Sequence, residues 1–132
     1  MDIEDQIVSV ELAKRLKEIG VEQESLFYWA SGSLLFFEEV DWSNADNTYS
    51  AFTVAEMIEK LPAIIEDEKV EYWLRVEVVA VGGGNTTWLV EYASASNGIL
   101  GYVVKTKLAD ALGEMLIWLV EEGYVEVREN DR

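Results

Sequence analysis

The pattern that most constrains this chain lies in residues 70–93. Tyr72, Leu74, Val76, Val78 and Ala80 alternate with Trp73, Arg75, Glu77 and Val79, and after Gly82-Gly83-Gly84 the alternation resumes with Trp88, Val90 and Tyr92. A period of two sends successive side chains to opposite faces of a strand, so the segment reads as an antiparallel hairpin closed by a glycine loop. Placing Val81 opposite Asn85 sets Val78 against Trp88, Val76 against Val90 and Leu74 against Tyr92 on one face, with Arg75 against Glu91 on the other. A slip of one residue would set Glu91 against Val76, so the apolar and charge patterns select the same register.

The flanking segments supply the rest of a core. Ser9 is placed to cap a helix whose Leu12, Ala13, Leu16 and Ile19 recur at helical spacing, with Lys14, Arg15, Lys17 and Glu18 outside and Gly20 as its stop. The outer face of this helix is the one locally basic patch of an acidic chain, and as such a candidate for self-association in a homodimer. Residues 25–30 and 33–38, rich in aromatics and separated by Ser31-Gly32, read as a second hairpin with one face free for helices and the other for a partner. The polar residues 39–50 read as a loop. Thr53-Val54-Ala55-Glu56 is a capping box that opens a short helix whose Val54, Ile58 and Leu61 share a face, ended by Pro62. Residues 93–98 form a further turn and residues 99–104 a further strand. Residues 107–122 form a helix of about four turns ending at Gly123, with Leu108, Leu112, Met115, Leu116 and Leu119 as its buried stripe. Ile117 then falls on the opposite side among Asp110, Glu114 and Glu121, with Trp118 on the flank. Residues 124–127 suit a short edge strand. The expected fold is a single α+β domain over residues 1–132: an antiparallel sheet built from hairpins, an N-terminal helix, a short middle helix and a long C-terminal helix.

Composition narrows function mostly by exclusion. The 132 residues contain no histidine and no cysteine, and 26 Asp and Glu face 10 Lys and Arg, for a formal net charge of -16. The commonest general base, the commonest nucleophile and every thiolate metal site are therefore absent. A charge of this size repels nucleic acid and anionic bilayers, and it favours basic partners or cations. With 50% hydrophobic residues and five tryptophans, the acidity sits on a chain that can fold. The acidic first residues and the lack of a long apolar run argue against a signal peptide and a membrane span, and with the missing cysteines they suggest the cytoplasm.

Individual motifs carry little chemistry. Gly82-Gly83-Gly84 lacks the lysine and Ser/Thr of a phosphate loop and is flanked by strand pattern on both sides. Counted from Asp41, an EF-hand fails at its fifth, sixth and twelfth positions, Ala45, Asp46 and Phe52, which leaves only an irregular weak cation site using Glu38, Glu39, Asp41 and Asp46 to consider. Paired carboxylates can hydrolyse glycosides without histidine. Glu77 and Glu91 are the two with some claim, although Arg75 opposite Glu91 already accounts for one as a surface cross-strand pair. No catalytic residue, metal ligand or cofactor is expected.

Leu12-Ala13-Lys14-Arg15-Leu16-Lys17-Glu18, followed by Gly20-Val21 and Gln23-Glu24-Ser25-Leu26-Phe27-Tyr28-Trp29, resembles the opening of a group of small uncharacterised proteins met in bacteriophages, prophages and bacterial genomes. Ser50-Ala51-Phe52-Thr53-Val54-Ala55-Glu56 with Leu61-Pro62, and the closing helix with Met115-Leu116-Ile117-Trp118-Leu119, are similar to that group's middle and end. The resemblance implies a phage or prophage origin and carries no catalytic residue with it. The function expected is that of a non-enzymatic accessory protein acting through protein contacts, with Trp29, Phe37, Ile117 and Trp118 as the apolar contact candidates. The partner is an unidentified protein or a second copy of the chain, with no role for nucleic acid or membrane. Two alternatives stand beside it: an acidic nucleic-acid mimic that occupies a host DNA-binding groove, and a carboxylate-based hydrolase.

Overall fold

The computed structural model describes residues 2–80 and 86–127 of the chain. The glycine loop and the Val81–Asn85 pairing lie outside the described residues. In chain order the elements are α1 (Val10–Glu18), β1 (Phe27–Ala30), β2 (Ser33–Phe36), β3 (Thr48–Ser50), α2 (Val54–Lys60), β4 (Ile64–Asp67), β5 (Val70–Ala80), β6 (Thr86–Ala93), β7 (Ile99–Lys105) and α3 (Leu108–Glu121), with short 3-10 turns at Ile3–Gln6, Phe37–Glu39 and Trp42–Asn47. The strands form two antiparallel sheets, one ordered β2-β1-β3 and the other β4-β5-β6-β7. This is the α+β fold of hairpins and three helices that the patterning predicts.

The central hairpin takes the predicted register, with Leu74 opposite Tyr92, Arg75 opposite Glu91, Val76 opposite Val90 and Val78 opposite Trp88. Two other hairpins turn through paired positive φ angles, Ser31 (53°) with Gly32 (80°) and Glu68 (51°) with Lys69 (70°). Two left-handed residues match the twist of the flanking strands, which is the condition of the type I′ connection. At Glu68-Lys69 no glycine announces it, so the β4–β5 hairpin carried no turn signal in the sequence. The segment 39–50 is likewise not all loop, because its last residues form β3 and pair with Tyr28, Trp29 and Ala30.

Three further expectations are corrected. The Ser9 side chain makes no cap; instead its main-chain N–H donates to the Asp110 carboxylate at 2.8 Å and ties α1 to α3. On α2 the capping box of Thr53 and Glu56 is present, but the buried side chain is Met57 and Ile58 is exposed, because α2 meets α3 through its Met57 side. Residues 124–127 form no strand: the N–H groups of Tyr124 and Val125 both donate to the Leu119 carbonyl, closing the end of α3, and Val127 packs back toward Gly20.

α3 is the centre of the molecule. It packs on β6 and β7 on one side and on α1 and α2 on the other, so its buried residues run most of the way around it: Ala109, Ala111, Leu112, Gly113, Met115, Leu116, Ile117 and Leu119. A helix apolar on nearly all sides is a core helix, and each large side chain fully buried there contributes roughly 1.5–3 kcal/mol. Gly113 permits the close crossing with α1, since a Cβ at that position would lie 2.7 Å from Leu12 Cδ2.

The basic face of α1 is engaged within the chain, although Lys14 and Arg15 stay exposed. Lys17 Nζ donates to the carbonyls of Ala45 (2.8 Å) and Thr48 (3.1 Å) and lies over the Tyr49 ring, Lys14 approaches the same ring, and Arg15 pairs with Glu114 at 3.3 Å. The two lysines hold β3 and the turn before it against α1, and Arg15 ties α1 to α3.

Candidate interaction surface

α3 covers one face of the four-stranded sheet over Val90 and Tyr92 and leaves Val76 and Val78 of that face exposed; among the described residues no helix packs on the other face. The inner rows run Leu74–Tyr92–Gly101 and Val76–Val90–Val103, with Trp118 lying on Gly101 from the α3 side. Strand alternation therefore puts the intervening residues outward. The register lays them in rows: Ile64–Trp73–Ala93–Ile99, then Arg75–Glu91–Tyr102, then Glu77–Leu89–Val104, then Val79–Thr87. Ile64, Trp73, Val79, Ile99, Tyr102 and Val104 are all exposed, Trp73 at 51% and Tyr102 at 66% of their full surface. Scattered apolar side chains are normal on a protein surface, but exposed aromatic and β-branched side chains gathered on one sheet face around a charged centre suit a contact site.

A charged cluster sits in the middle of this face. Arg75 Nη2 donates to the Glu77 carboxylate, and its Nε lies 3.6 Å from Glu91 Oε2. Glu91 is only 4% exposed, flanked by Arg75 on one neighbouring strand and Tyr102 on the other, so the expected surface pair is half buried: the carboxylate is inside and the guanidinium covers it. An arginine over a buried carboxylate fixes the centre of the face without presenting a free negative charge.

The four apolar residues singled out from the sequence do not form this surface. Trp29 is buried, and its Nε1 donates to the Val8 carbonyl at 2.9 Å. Ile117 is 2% exposed, because the side of α3 opposite its main stripe is also covered. Trp118 is half-buried, with its ring against Gly101 and 5.6 Å from that of Tyr124. Only Phe37 is exposed, in a small aromatic group with Phe36 and Phe27 at the end of the first hairpin. The signal for the outer face was nonetheless in the chain. Trp73 and Val79 stand at the outward positions of β5, and a strand apolar at both parities expects cover on both faces.

In the segment considered for a cation, Asp41 and Glu39 are engaged locally. Asp41 accepts from the Ser43 N–H and hydroxyl, and those hydrogen bonds hold its carboxyl below the ordinary range, while Glu39 accepts from the Phe36 N–H. Among the described residues no group of three or more acidic side chains is arranged to hold a metal ion. Glu77 and Glu91 share Arg75 on an open sheet face. A hollow of about 300 Å³ between α1, β7 and α3 gathers Glu11, Asp110 and Glu114, but Asp110 holds the Ser9 N–H and Glu114 pairs with Arg15 and Lys105. The larger cleft, about 760 Å³, is lined by Asp5, Gln6, Val54, Thr86, Trp88, Thr106, Lys107 and Leu108 and contains a single carboxylate. None of the helices among the described residues is long and apolar enough to cross a membrane.

No protein-family model, no curated protein and no solved structure matches the chain.

Proposed function

We propose that this chain is a phage- or prophage-related accessory protein of the cytoplasm that works through protein contacts and performs no chemistry of its own, with the outer face of the four-stranded sheet as its contact surface. The observation that carries this reading is the exposure of Trp73 and Tyr102 on one uncovered sheet face, framed by Ile64, Val79, Ile99 and Val104. Aromatic anchors of this kind supply most of the energy in protein interfaces. The phage setting rests on the sequence resemblance alone, and the cytoplasmic assignment on the missing cysteines.

The test is capture from host lysate with the wild-type chain, with Trp73→Lys, and with Glu59→Lys as a control at an exposed position on α2. An apolar interface retains its partner at high salt. The reading expects a partner held in high salt by the wild type and by Glu59→Lys and lost from Trp73→Lys. A partner that elutes with salt from all three would instead support the acidic-mimic alternative.

A further inference from the structure

The two edges of the four-stranded sheet are built differently. β4 has four residues, follows Pro62 and Ala63, carries Glu66 and Asp67 and runs into Glu68, the short and charged form that resists strand addition. β7 has seven residues, no proline, and one charge, Lys105, at its end. Its outward main-chain groups follow from the ladder. The Leu74 N–H donates to the Ala63 carbonyl, so the main chain of Leu74 faces β4 and those of Trp73, Arg75 and Glu77 face β6. The same alternation turns Val90 and Tyr92 toward β7, and Gly101, Val103 and Lys105 toward β6. The N–H and C=O groups of Tyr102 and Val104 then point away from the sheet, and among the described residues no strand pairs with them.

Charge is also distributed differently here. Residues 92–109 contain no Asp or Glu, the longest such stretch in a chain with 26 of them, and they include Lys105 and Lys107. Under the β7 edge lies a hollow of about 280 Å³, lined among others by Tyr102, Trp118, the carboxylates of Glu114 and Glu121 and the cations Arg15 and Lys105. Gly101 opens this side of the strand, since it has no side chain between the ladder and the Trp118 ring.

We propose that β7 pairs antiparallel with β7 of a second copy of this chain, about a two-fold axis at Val103, joining two four-stranded sheets into one. Tyr102 then stands opposite Val104 of the second copy, and each such pair exchanges both of its main-chain hydrogen bonds. On the outer face this makes an aromatic side chain packed on a β-branched one, twice over by symmetry. On the inner face Lys105 of the second copy stands opposite Gly101 and reaches the hollow, where the Glu121 carboxylate and the Trp118 ring receive its ammonium, Glu114 being held already by Arg15 and Lys105 of its own chain. A second copy is the occupant that fits: two chains of charge -16 repel across most of their surfaces, and the acid-free edge is where that repulsion is least. Tyr102 and Val104 give their side chains to the outer face and their main-chain groups to the edge, whereas Trp73 lies two strands away from the seam; the pairing does not depend on the proposed accessory function.

Sedimentation of the purified full chain tests this at ionic strengths of about 0.01 M and about 0.15 M, where the Debye length falls from roughly 30 Å to 8 Å. Screening the like charges strengthens the pairing, so the expected result is a species of twice the chain mass whose fraction rises with salt. Val104→Pro removes one outward N–H at an edge position that tolerates proline, and it leaves a monomer with an unchanged circular dichroism spectrum. Tyr102→Glu, at an exposed position, puts a carboxylate into the seam and weakens pairing at least tenfold, which keeps the test open if the proline variant unfolds. Trp73→Lys dimerises like the wild type. A monomer at both salts, association that weakens with salt, dimerisation unaffected by both edge substitutions, or loss of the dimer in Trp73→Lys would each overturn the proposal.

Discussion

The indole of Trp118 lies so close to Gly101 that a methyl group there would sit 2.6 Å from its Cη2. This contact seats α3 under β7. It also explains why a tryptophan on the flank of the helix is not an open contact residue: its ring lies against a strand that has no side chain at that point. Gly101→Ala would force the ring to move, at a cost of about 1–3 kcal/mol. Equilibrium unfolding in urea should show that loss. Combined with Trp118→Leu, which shortens the opposing side chain, the added methyl should cost measurably less than it does alone, a non-additivity that a direct contact requires.

Ile117 gives the sharpest contrast between pattern and packing. Its 2% exposure predicts that Ile117→Ala costs about 2–5 kcal/mol, the range for emptying a core position. Ile58, apolar by the same measure but exposed on α2, predicts a change within roughly 0.5 kcal/mol for Ile58→Ala. Urea midpoints of the two variants check both, and equal costs would contradict the burial of α3 on two sides.

Residues whose partners are fixed by strand alternation were legible in the sequence, and residues whose environment depends on a third element were not. The β5–β6 register, the capping box at Thr53 and the stop at Gly20 each follow from local chemistry, and each is present. Ile117 was misplaced because a helical wheel locates one apolar stripe and says nothing of a second layer, here α1 and α2. The β4–β5 hairpin was missed because Glu68 and Lys69 adopt positive φ without the Asn or Gly that usually signals it. The shared outer face is hidden for a related reason: Trp73 and Val79 read as the outward half of one strand, and only the sheet order shows that Tyr102 and Val104 extend the same face.

Glu91 depends on Arg75. Arg75→Ala leaves a carboxylate that is 4% exposed without its partner, and because the guanidinium is itself about half in solvent the expected cost is about 1–3 kcal/mol, below that of a fully buried pair. Glu91→Gln in the Arg75→Ala background removes the unpaired charge and should recover part of that loss. Unfolding free energies of the single and double variants test this, and a double variant less stable than Arg75→Ala would contradict it.

Tyr92 makes stability sensitive to alkali. Burial pushes its phenol well above the ordinary value of about 10, so between those values the unfolded chain ionises while the folded one stays neutral. The unfolded state then binds fewer protons, and the stabilisation present below pH 10 is lost as the pH rises. Tyr92→Phe loses the 2.7 Å hydrogen bond to the Pro62 carbonyl, roughly 1 kcal/mol at neutral pH, and flattens the alkaline limb. The two stability curves should converge above pH 10; parallel curves would show that this phenol is not held neutral by the fold.

The most direct test of the proposed contact surface is photo-crosslinking inside the host cell, with a photoreactive phenylalanine placed singly at Trp73, and at Glu59, exposed on α2, as the reference. The account predicts a discrete crosslinked protein from position 73 and none from position 59. Adducts from position 59 alone, or the same adducts from both, would contradict the assignment of the outer sheet face as the surface through which this protein acts.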